Sequence, residues 1–358
     1  MILYRDEKFN FYELFNEQNG LLIRSDVEGT KEDPNQRSFP ELIDIGIMGH
    51  CISGHQGICR RSGVDCYQMG DIQKVPHMKV DDYETIAHQA AGKTFQIALG
   101  GAGDPNKHPE FEKILQISRY YNIVPNLTTS GYGLTDTEIG IIKKYCGAVA
   151  VSWYSRLVIK DDTYDESNFA TIECINRLVN YGCQTNVHYV VSKDTIDEAI
   201  LRLQDDLFPI GIAAVIFILY KPVGYGKKDK VLSDDEKLDK FLMLAIEHKH
   251  PYRIGFDTCF TAALVRKNIS PVCIDACEAG TFSMYINSQL KCYPCSFGQN
   301  NDLYDSMKNK SLRDVWNGEV FSSFRAKSMH AYCNSCSSIK MCQGGCKIGL
   351  DINLCNNK

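Results

Sequence analysis

Residues 43–66, IDIGIMGHCISGHQGICRRSGVDC, join an apolar stretch to a loop that contains three cysteines. The stretch at 43–48 is rich in isoleucine, which favours a β-strand. Cys51, Cys59 and Cys66 follow the end of that strand. Glycines between them let the loop wrap closely around a ligand. The segment therefore predicts a strand that leads into a cysteine-lined loop.

Similar apolar runs recur along the first two thirds of the chain, at 95–99, 123–129, 148–153, 185–191 and 214–220. Amphipathic segments of helical period separate the runs, at 81–91, 111–120, 135–145, 168–181 and 195–203. Asp165 and Ser167 before the fourth segment, and Asp194 before the fifth, are typical helix start signals. This alternation predicts an α/β fold, a partial (β/α)6 TIM-type barrel with right-handed crossovers.

Polar and glycine-rich residues stand where these predicted strands end. Residues 99–111 (LGGAGDPNKHPEF) follow the second strand, TTSG at 128–131 closes the third, Ser152 closes the fourth, and KPVGYG at 221–226 follows the sixth. Active sites of such barrels gather at the carboxyl ends of the strands. The sequence therefore places one site at this rim, together with the cysteine loop.

Two segments lie outside the barrel pattern. Residues 1–39 contain a hairpin-like stretch with Asn19-Gly20 at its turn, which predicts an amino-terminal flap or strand extension. The barrel is expected over residues 40–250. Residues 251–358, where cysteines and short loops take over, are expected to form a second module.

That module carries the run CNSCSSIKMCQGGCKIGLDINLC at 333–355, with Cys333, Cys336, Cys342, Cys346 and Cys355. The chain has 16 cysteines in 358 residues, a length that suits one large core plus a smaller module. The first residues lack the apolar core of an export signal, and no stretch is long enough to span a bilayer. We therefore expect a cytoplasmic protein whose clustered thiols bind metal rather than form disulfides. The net charge of −5 argues against nucleic acid and anionic membrane as partners.

These motifs resemble those of the radical S-adenosylmethionine (SAM) superfamily, and within it the enzymes with a C-terminal SPASM domain; the resemblance covers residues 40–358. It implies a [4Fe–4S] cluster on Cys51, Cys59 and Cys66 whose fourth iron is open. That iron would bind the amino and carboxylate groups of SAM, so that an electron cleaves the sulfonium and releases a 5'-deoxyadenosyl radical. The implied cofactor-binding residues are Gly100, Gly101, Asp104, Thr129, Ser130, Ser152 and Gly224. Asp104 stands where the family's GGEP-type segment has glutamate.

The first cysteine array departs from the family's usual CxxxCxxC pattern, because its gaps are seven and six residues. Lengthening a loop from three to seven residues costs only about 0.7 kcal/mol of closure entropy, which is small beside cluster ligation. His50 and His55 are alternative ligands in this loop, and each is also explained as an ordinary loop histidine.

In the C-terminal module, the resemblance assigns Cys333, Cys336, Cys342 and Cys355 to one auxiliary [4Fe–4S] cluster. Cys346 would join Cys277 and Cys295 on a second, although Leu290 stands where the pattern usually has glycine. Cys259 is the preferred fourth ligand, with Cys273 and Cys292 as alternatives. Zinc is the rival metal, since CxxC pairs also build zinc sites. Cys146, Cys174 and Cys183 are expected to be buried apolar side chains.

The resemblance implies an enzyme with SAM and three [4Fe–4S] clusters that oxidatively modifies a peptide, for instance by a thioether or carbon–carbon crosslink. An external one-electron reductant of the flavodoxin or ferredoxin type would serve it. Alternatives are a sulfatase-maturing or small-molecule-modifying SPASM enzyme and, in another class, a non-catalytic iron-sulfur or zinc-binding protein. Tyr154, Tyr220 and Lys221 are expected near the cavity, but the sequence assigns no catalytic acid or base.

Overall fold

The computed structural model describes residues 1–27, 34–160, 163–267, 269, 274–299, 303–327 and 331–355. Its strands, in chain order, are β1 Ile2–Asp6, β2 Phe11–Phe15, β3 Leu22–Asp26, β4 Leu42–Met48, β5 Gln96–Gly101, β6 Val124–Thr129, β7 Val149–Ser152, β8 Leu157–Lys160, β9 Thr163–Glu166, β10 Thr185–Val191, β11 Ala214–Leu219, β12 Arg253–Phe256, β13 Ser283–Ile286, β14 Lys291–Tyr293 and β15 Asp305–Ser306. Within these ranges, we find no helix with the length and hydropathy that a bilayer crossing requires.

Ten of the strands form one sheet, in the order β12-β11-β10-β7-β6-β5-β4-β13-β14-β15. The strands from β12 to β13 are parallel, and β14 and β15 continue the sheet antiparallel. All six predicted barrel strands are present, each within about two residues of its expected bounds. The sheet continues past residue 250, because β12 pairs with β11 and β13 pairs with β4 at the other side.

The helices, in chain order, are α1 Ile52–His55, α2 Ile58–Arg61, α3 Val80–Ala90, α4 Phe111–Tyr120, α5 Asp136–Tyr145, α6 Phe169–Asn180, α7 Ile196–Gln204, α8 Glu236–Glu247, α9 Thr261–Leu264, α10 Leu312–Asn317, α11 Glu319–Arg325 and α12 Ile339–Cys342. The five predicted amphipathic helices are α3 to α7. Their buried faces pack on the sheet; Ile114 and Leu115 of α4, for example, are fully buried. This helix-backed parallel sheet is the expected architecture.

The predicted start signals of α6 and α7 are wrong. A hairpin of β8 and β9 occupies the chain before α6, and Asp165 lies in β9. The Ser167 hydroxyl accepts a hydrogen bond from the Arg156 amide, so it satisfies the hairpin rather than the helix. The N-cap of α7 is Thr195, not Asp194. Side-chain capping does operate at α5, where Thr135 and Glu138 form a capping box.

The amino-terminal residues form a three-stranded antiparallel sheet, β1-β2-β3, whose β2–β3 hairpin turns at the expected Asn19-Gly20. Phe15 stacks on Phe95 with ring centroids 5.1 Å apart, and the buried Arg37 guanidinium binds Glu13 at 2.7 Å. Breaking a buried ion pair costs about 3 to 5 kcal/mol, so this sheet is an integral part of the fold. Residues 17–20 at its tip line a 440 Å³ cavity in the barrel interior, opposite the cysteine loop.

Candidate functional site

The loop of Cys51, Cys59 and Cys66 begins directly after β4. Cys51 caps α1, since its sulfur accepts a hydrogen bond from the Gly54 amide at 3.1 Å. Burial, together with the nearby Asp104 and Cys66, raises the pKa of the Cys51 thiol to about 12 and that of the Cys59 thiol to about 11. The three thiols therefore lie together, and those of Cys51 and Cys59 stay protonated at neutral pH until a metal displaces their protons.

Asp104 connects the end of β5 to the end of β6. Its Oδ1 accepts hydrogen bonds from the Ser130 amide at 2.5 Å and from the Thr129 hydroxyl at 3.2 Å. Its Oδ2 accepts from the hydroxyls of Ser130 at 2.7 Å and Ser53 at 3.3 Å. Four accepted bonds fill about all the lone-pair sites of a carboxylate. An ammonium group that binds to the Asp104 carboxylate would thus have to replace one of the hydroxyl donors.

The two glycines of the Asp104 segment have different surroundings. Gly101, with φ of +106°, packs against Gly46 of β4, where a Cβ would lie 2.6 Å from the Gly46 Cα. At Gly100, no atom would lie within 4 Å of an added Cβ. Open space therefore lies beside Gly100.

The loop at 221–226 covers the third cysteine. The Tyr225 amide donates to the Cys66 carbonyl at 3.1 Å. Gly224 has φ of +65°, and a Cβ there would lie 2.4 Å from the Tyr67 carbonyl oxygen and 2.6 Å from that of Cys66. Only glycine combines this left-handed backbone with so close an approach. Gly224 therefore contacts the cysteine loop itself.

Tyr154, which the sequence places near the cavity without assigning it a role, adds a hydroxyl to the site. Its hydroxyl is hydrogen-bonded to the Cys59 thiol and to Ser152, the residue at the end of β7. Burial raises the pKa of Tyr154 well above its ordinary value, and the nearby Asp104 carboxylate adds to this. The sequence feature that indicates this location is the position of Tyr154, two residues after Ser152 at the end of a strand.

A second set of thiols lines a cavity of about 600 Å³ on the other side of the 221–226 loop: Cys259, Cys277, Cys295 and Cys346. Cys259 follows β12, Cys277 precedes β13, Cys295 follows β14 and Cys346 follows α12. A hydrogen bond between Cys259 and Cys346 lowers the pKa of Cys346 to about 6 and raises that of Cys259. Burial raises the pKa of Cys277 to about 11 and that of Cys295 to about 12.

The two alternatives to Cys259 lie elsewhere. Cys292 is fully buried in β14, and its sulfur lies 3.7 Å from the Leu290 carbonyl oxygen rather than in the cavity. Cys273 falls outside the described residues. Among the described thiols, the cavity therefore gathers the preferred set of four.

Lys221 places a positive charge beside this second set. Its side chain is 5% exposed, and its Nζ donates to Asp257 at 2.6 Å and to the Leu219 carbonyl at 2.8 Å. The ammonium also lies 4.5 Å from the centre of the Phe297 ring. Its charge lowers the pKa of Cys259, Cys295 and Cys346 relative to burial alone.

The remaining C-terminal thiols form a third set, Cys333, Cys336, Cys342 and Cys355. Burial, together with the neighbouring Cys355, Cys333 and Cys336, raises the pKa of Cys342 to about 11. Cys333 lies in a short helical turn, Ala331–Ser335, and Cys336 follows directly after it. Among the residues that the structure describes, the clustered thiols thus form one group of three and two groups of four.

The other predicted roles of cysteine and histidine can also be located. Cys174 is 3% exposed and belongs to the hydrophobic core. Cys146 and Cys183 pack against that core, as expected for apolar side chains. His50 stacks on His77 at 4.4 Å and on His55 at 5.6 Å, with its Nδ1 against the Val75 carbonyl at 3.1 Å. These contacts account for His50 without a metal.

Residues 277–337 match the family model of SPASM, an iron-sulfur cluster-binding domain. The matched segment includes Cys277, Cys295, Cys333 and Cys336, whereas Cys342, Cys346 and Cys355 lie beyond it. The search of curated proteins found no match to this chain. The C-terminal domain identified from the cysteine spacing is therefore confirmed.

Solved structures share the fold of nearly the whole chain. Streptococcus suis SuiB bound to its precursor peptide SuiA superposes with a TM-score of 0.72 at 18% identity, covering 98% of this chain and 95% of that one. SuiB bound to S-adenosylmethionine gives 0.71 with the same identity and coverage. Native anSMEcpe with bound AdoMet and Cp18Cys peptide gives 0.59 at 16% identity, covering 88% and 91%. The predicted fold, a partial barrel with a C-terminal iron-sulfur domain, is confirmed.

Proposed function

We propose that this protein is a radical SAM enzyme that reductively cleaves S-adenosylmethionine and uses the resulting 5'-deoxyadenosyl radical to modify a peptide oxidatively. The observation that carries the proposal is the division of eleven thiols into one group of three and two groups of four. A [4Fe–4S] cluster with three cysteine ligands keeps one iron open for a substrate or cofactor, whereas four ligands close the cluster.

The residues around the three thiols fit that assignment. Thiolates are the usual protein ligands of such clusters. Asp104, Thr129 and Ser130 offer a carboxylate and two hydroxyls for the polar end of the cofactor's methionine. Gly100 leaves space beside them. Gly224 and Tyr154 would then hold the loop in place and exclude water.

Two observations support a peptide as substrate. SuiB was solved with a precursor peptide and anSMEcpe with the Cp18Cys peptide, and both share this fold. The outer face of the amino-terminal sheet carries an apolar row, Leu3, Leu14 and Ile23, which pair across β1, β2 and β3. Leu3 is 67% exposed and Ile23 49%. Exposed apolar rows of this kind mark interaction sites, so this row would bind the peptide's leader.

The two groups of four would act as electron carriers. Removing one hydrogen atom from a peptide and then forming a crosslink to a second group, which gives up a proton, leaves one electron to be taken away from the substrate. The group beside Lys221 is suited to accept it, because a nearby cation stabilises the more negative, reduced cluster. A flavodoxin or ferredoxin type protein would supply the electron that starts each cycle.

The test is anaerobic reconstitution with iron and sulfide. Three clusters require about twelve irons and twelve sulfides per chain. Addition of a reductant and S-adenosylmethionine should then release 5'-deoxyadenosine. Zinc bound without sulfide, and no cleavage under reducing conditions, would instead support a zinc-binding protein that uses the same thiols.

A further inference from the structure

A second kind of metal-binding cluster lies at the end of the barrel opposite the thiols. Asp206 is in the loop between α7 and β11, and His248 and His250 are in the loop between α8 and β12. Both loops precede strands of the parallel sheet, whereas the Cys51 and Gly224 loops follow strands. One carboxylate oxygen and one ring nitrogen from each histidine lie within 4.8 Å of one another.

The His250 ring is held in one orientation. Its Nε2 lies 3.1 Å from the Leu244 carbonyl oxygen. A carbonyl only accepts, so Nε2 must carry the hydrogen. The ring also stacks on Tyr252 at 5.4 Å with planes 11° apart, and the side chain is 2% exposed. Metal-binding histidines typically donate their second ring nitrogen to a carbonyl or carboxylate in this way.

The other nitrogen of His250 faces a carboxylate. Nδ1 lies 2.7 Å from Asp206 Oδ1. When only Nε2 carries a hydrogen, the lone pair of Nδ1 faces a lone pair of the carboxylate oxygen. This contact is favourable only if a cation, either a proton or a metal ion, lies between or beside the two atoms. A proton would serve this pair, but it would leave out His248, whose Nε2 is 3.8 Å from Asp206 Oδ2, beyond hydrogen-bond distance. The His248 and His250 rings approach to 4.8 Å. A metal ion would engage all three side chains at once.

We propose that Asp206, His248 and His250 bind a divalent metal ion of the zinc type, which joins the α7–β11 and α8–β12 loops. Two imidazoles and one carboxylate form a ligand set that suits zinc and its neighbours, while magnesium and calcium prefer oxygen alone. Water would complete the coordination at the exposed side, since His248 is 43% exposed. The site shares no residue with the thiol groups.

The test is a zinc titration of the cluster-loaded protein without oxygen, in wild type, His248→Ala and the control Lys249→Ala. His248 is exposed, so its loss should leave the fold intact, and Lys249 is an exposed neighbour outside the site. Wild type and Lys249→Ala should bind one more zinc equivalent than His248→Ala, or bind it at least about tenfold more tightly. Zinc should raise the melting temperature of wild type but not of His248→Ala.

A second variant and an X-ray absorption spectrum test whether the loss of zinc is a direct effect of removing a ligand. Asp206→Asn keeps the size of the side chain but removes its charge, and it should lose the zinc as well. X-ray absorption of the added zinc should show nitrogen and oxygen ligands only. Equal zinc uptake by wild type and His248→Ala, retention by Asp206→Asn, or sulfur in the coordination shell would each overturn the proposal. No zinc uptake by wild type would do the same, and would leave only a His250–Asp206 ion pair.

Discussion

The loop of Cys51, Cys59 and Cys66 and the cavity of Cys259, Cys277, Cys295 and Cys346 lie on two sides of the 221–226 loop, yet they differ in thiol number and in charge. The first has three thiols beside the Asp104 carboxylate, and the second has four beside the Lys221 ammonium. An open coordination position serves chemistry, and a closed one with a nearby cation serves electron storage. Under the proposed function, the chain would build a reactive cluster and an electron acceptor from the same ligand type.

The largest expected effect tests the reactive side. Cys51→Ala, Cys59→Ala or Cys66→Ala should each abolish cofactor cleavage, because two remaining thiols cannot hold the cluster with a single open iron. The measurement is 5'-deoxyadenosine released on reduction, by liquid chromatography. Cys183→Ala, which lies outside all three thiol groups, is the control and should cleave normally. Near-normal cleavage by any of the first three variants would remove the basis of the comparison.

The next largest effect separates cofactor cleavage at the group of three thiols from electron transfer through the groups of four. Cys342→Ala should retain at least some uncoupled cofactor cleavage but form no peptide product, because electrons could no longer leave the substrate by the auxiliary route. Both products are measured in one reaction, 5'-deoxyadenosine by chromatography and peptide by mass spectrometry. If Cys342→Ala yields normal product, that group of four has no auxiliary role.

A smaller effect tests the charge difference. Lys221→Met should lower the reduction potential of the neighbouring cluster by on the order of 50 mV, as expected for the loss of about 1 kcal/mol of charge stabilisation in a one-electron couple. The potential is measured by redox titration followed by electron paramagnetic resonance. Lys221→Arg keeps the charge and is the matched control. An unchanged potential in Lys221→Met would show that Lys221 only supports Asp257.

The smallest effect concerns substrate binding far from both sites. Deleting residues 1–39 should weaken peptide turnover and spare cofactor cleavage, but the buried Arg37–Glu13 pair and Phe15 make the deletion destabilising as well. The double variant Leu3→Ser and Ile23→Ser changes only exposed side chains. It should raise the KM for the peptide roughly tenfold, with kcat and cofactor cleavage unchanged. Equal loss of cleavage and turnover would refute the leader-binding role.

The sequence predicted the barrel because each strand is a short β-branched run bounded by turn residues, a signal that depends on local residues alone. It did not predict that β13 pairs with β4, since pairing between residues 241 positions apart depends on which sheet edge is left open. The β8–β9 hairpin was missed for a different reason: Asp165 and Ser167 resemble a helix start, whereas the chain there pairs locally with β8.

Within the site, the cysteine groups were predictable from spacing and resemblance, and the surrounding charges were not. Lys221 and Asp257 are 36 residues apart, and they meet because β11 and β12 run side by side in parallel. Cys292 could be set aside only once its side chain was seen in the core. Tyr154 needed the geometry of the β7 end to bring it to Cys59.

The order of the large sheet has one further consequence. The chain leaves β12 at one edge of the barrel and re-enters at β13, which is bonded to β4 at the opposite side. Modules joined by a simple tether move relative to each other by default. Here β13 shares a sheet with the barrel strands, so backbone hydrogen bonds to β4 fix the position of the C-terminal thiols relative to the loop of Cys51, Cys59 and Cys66.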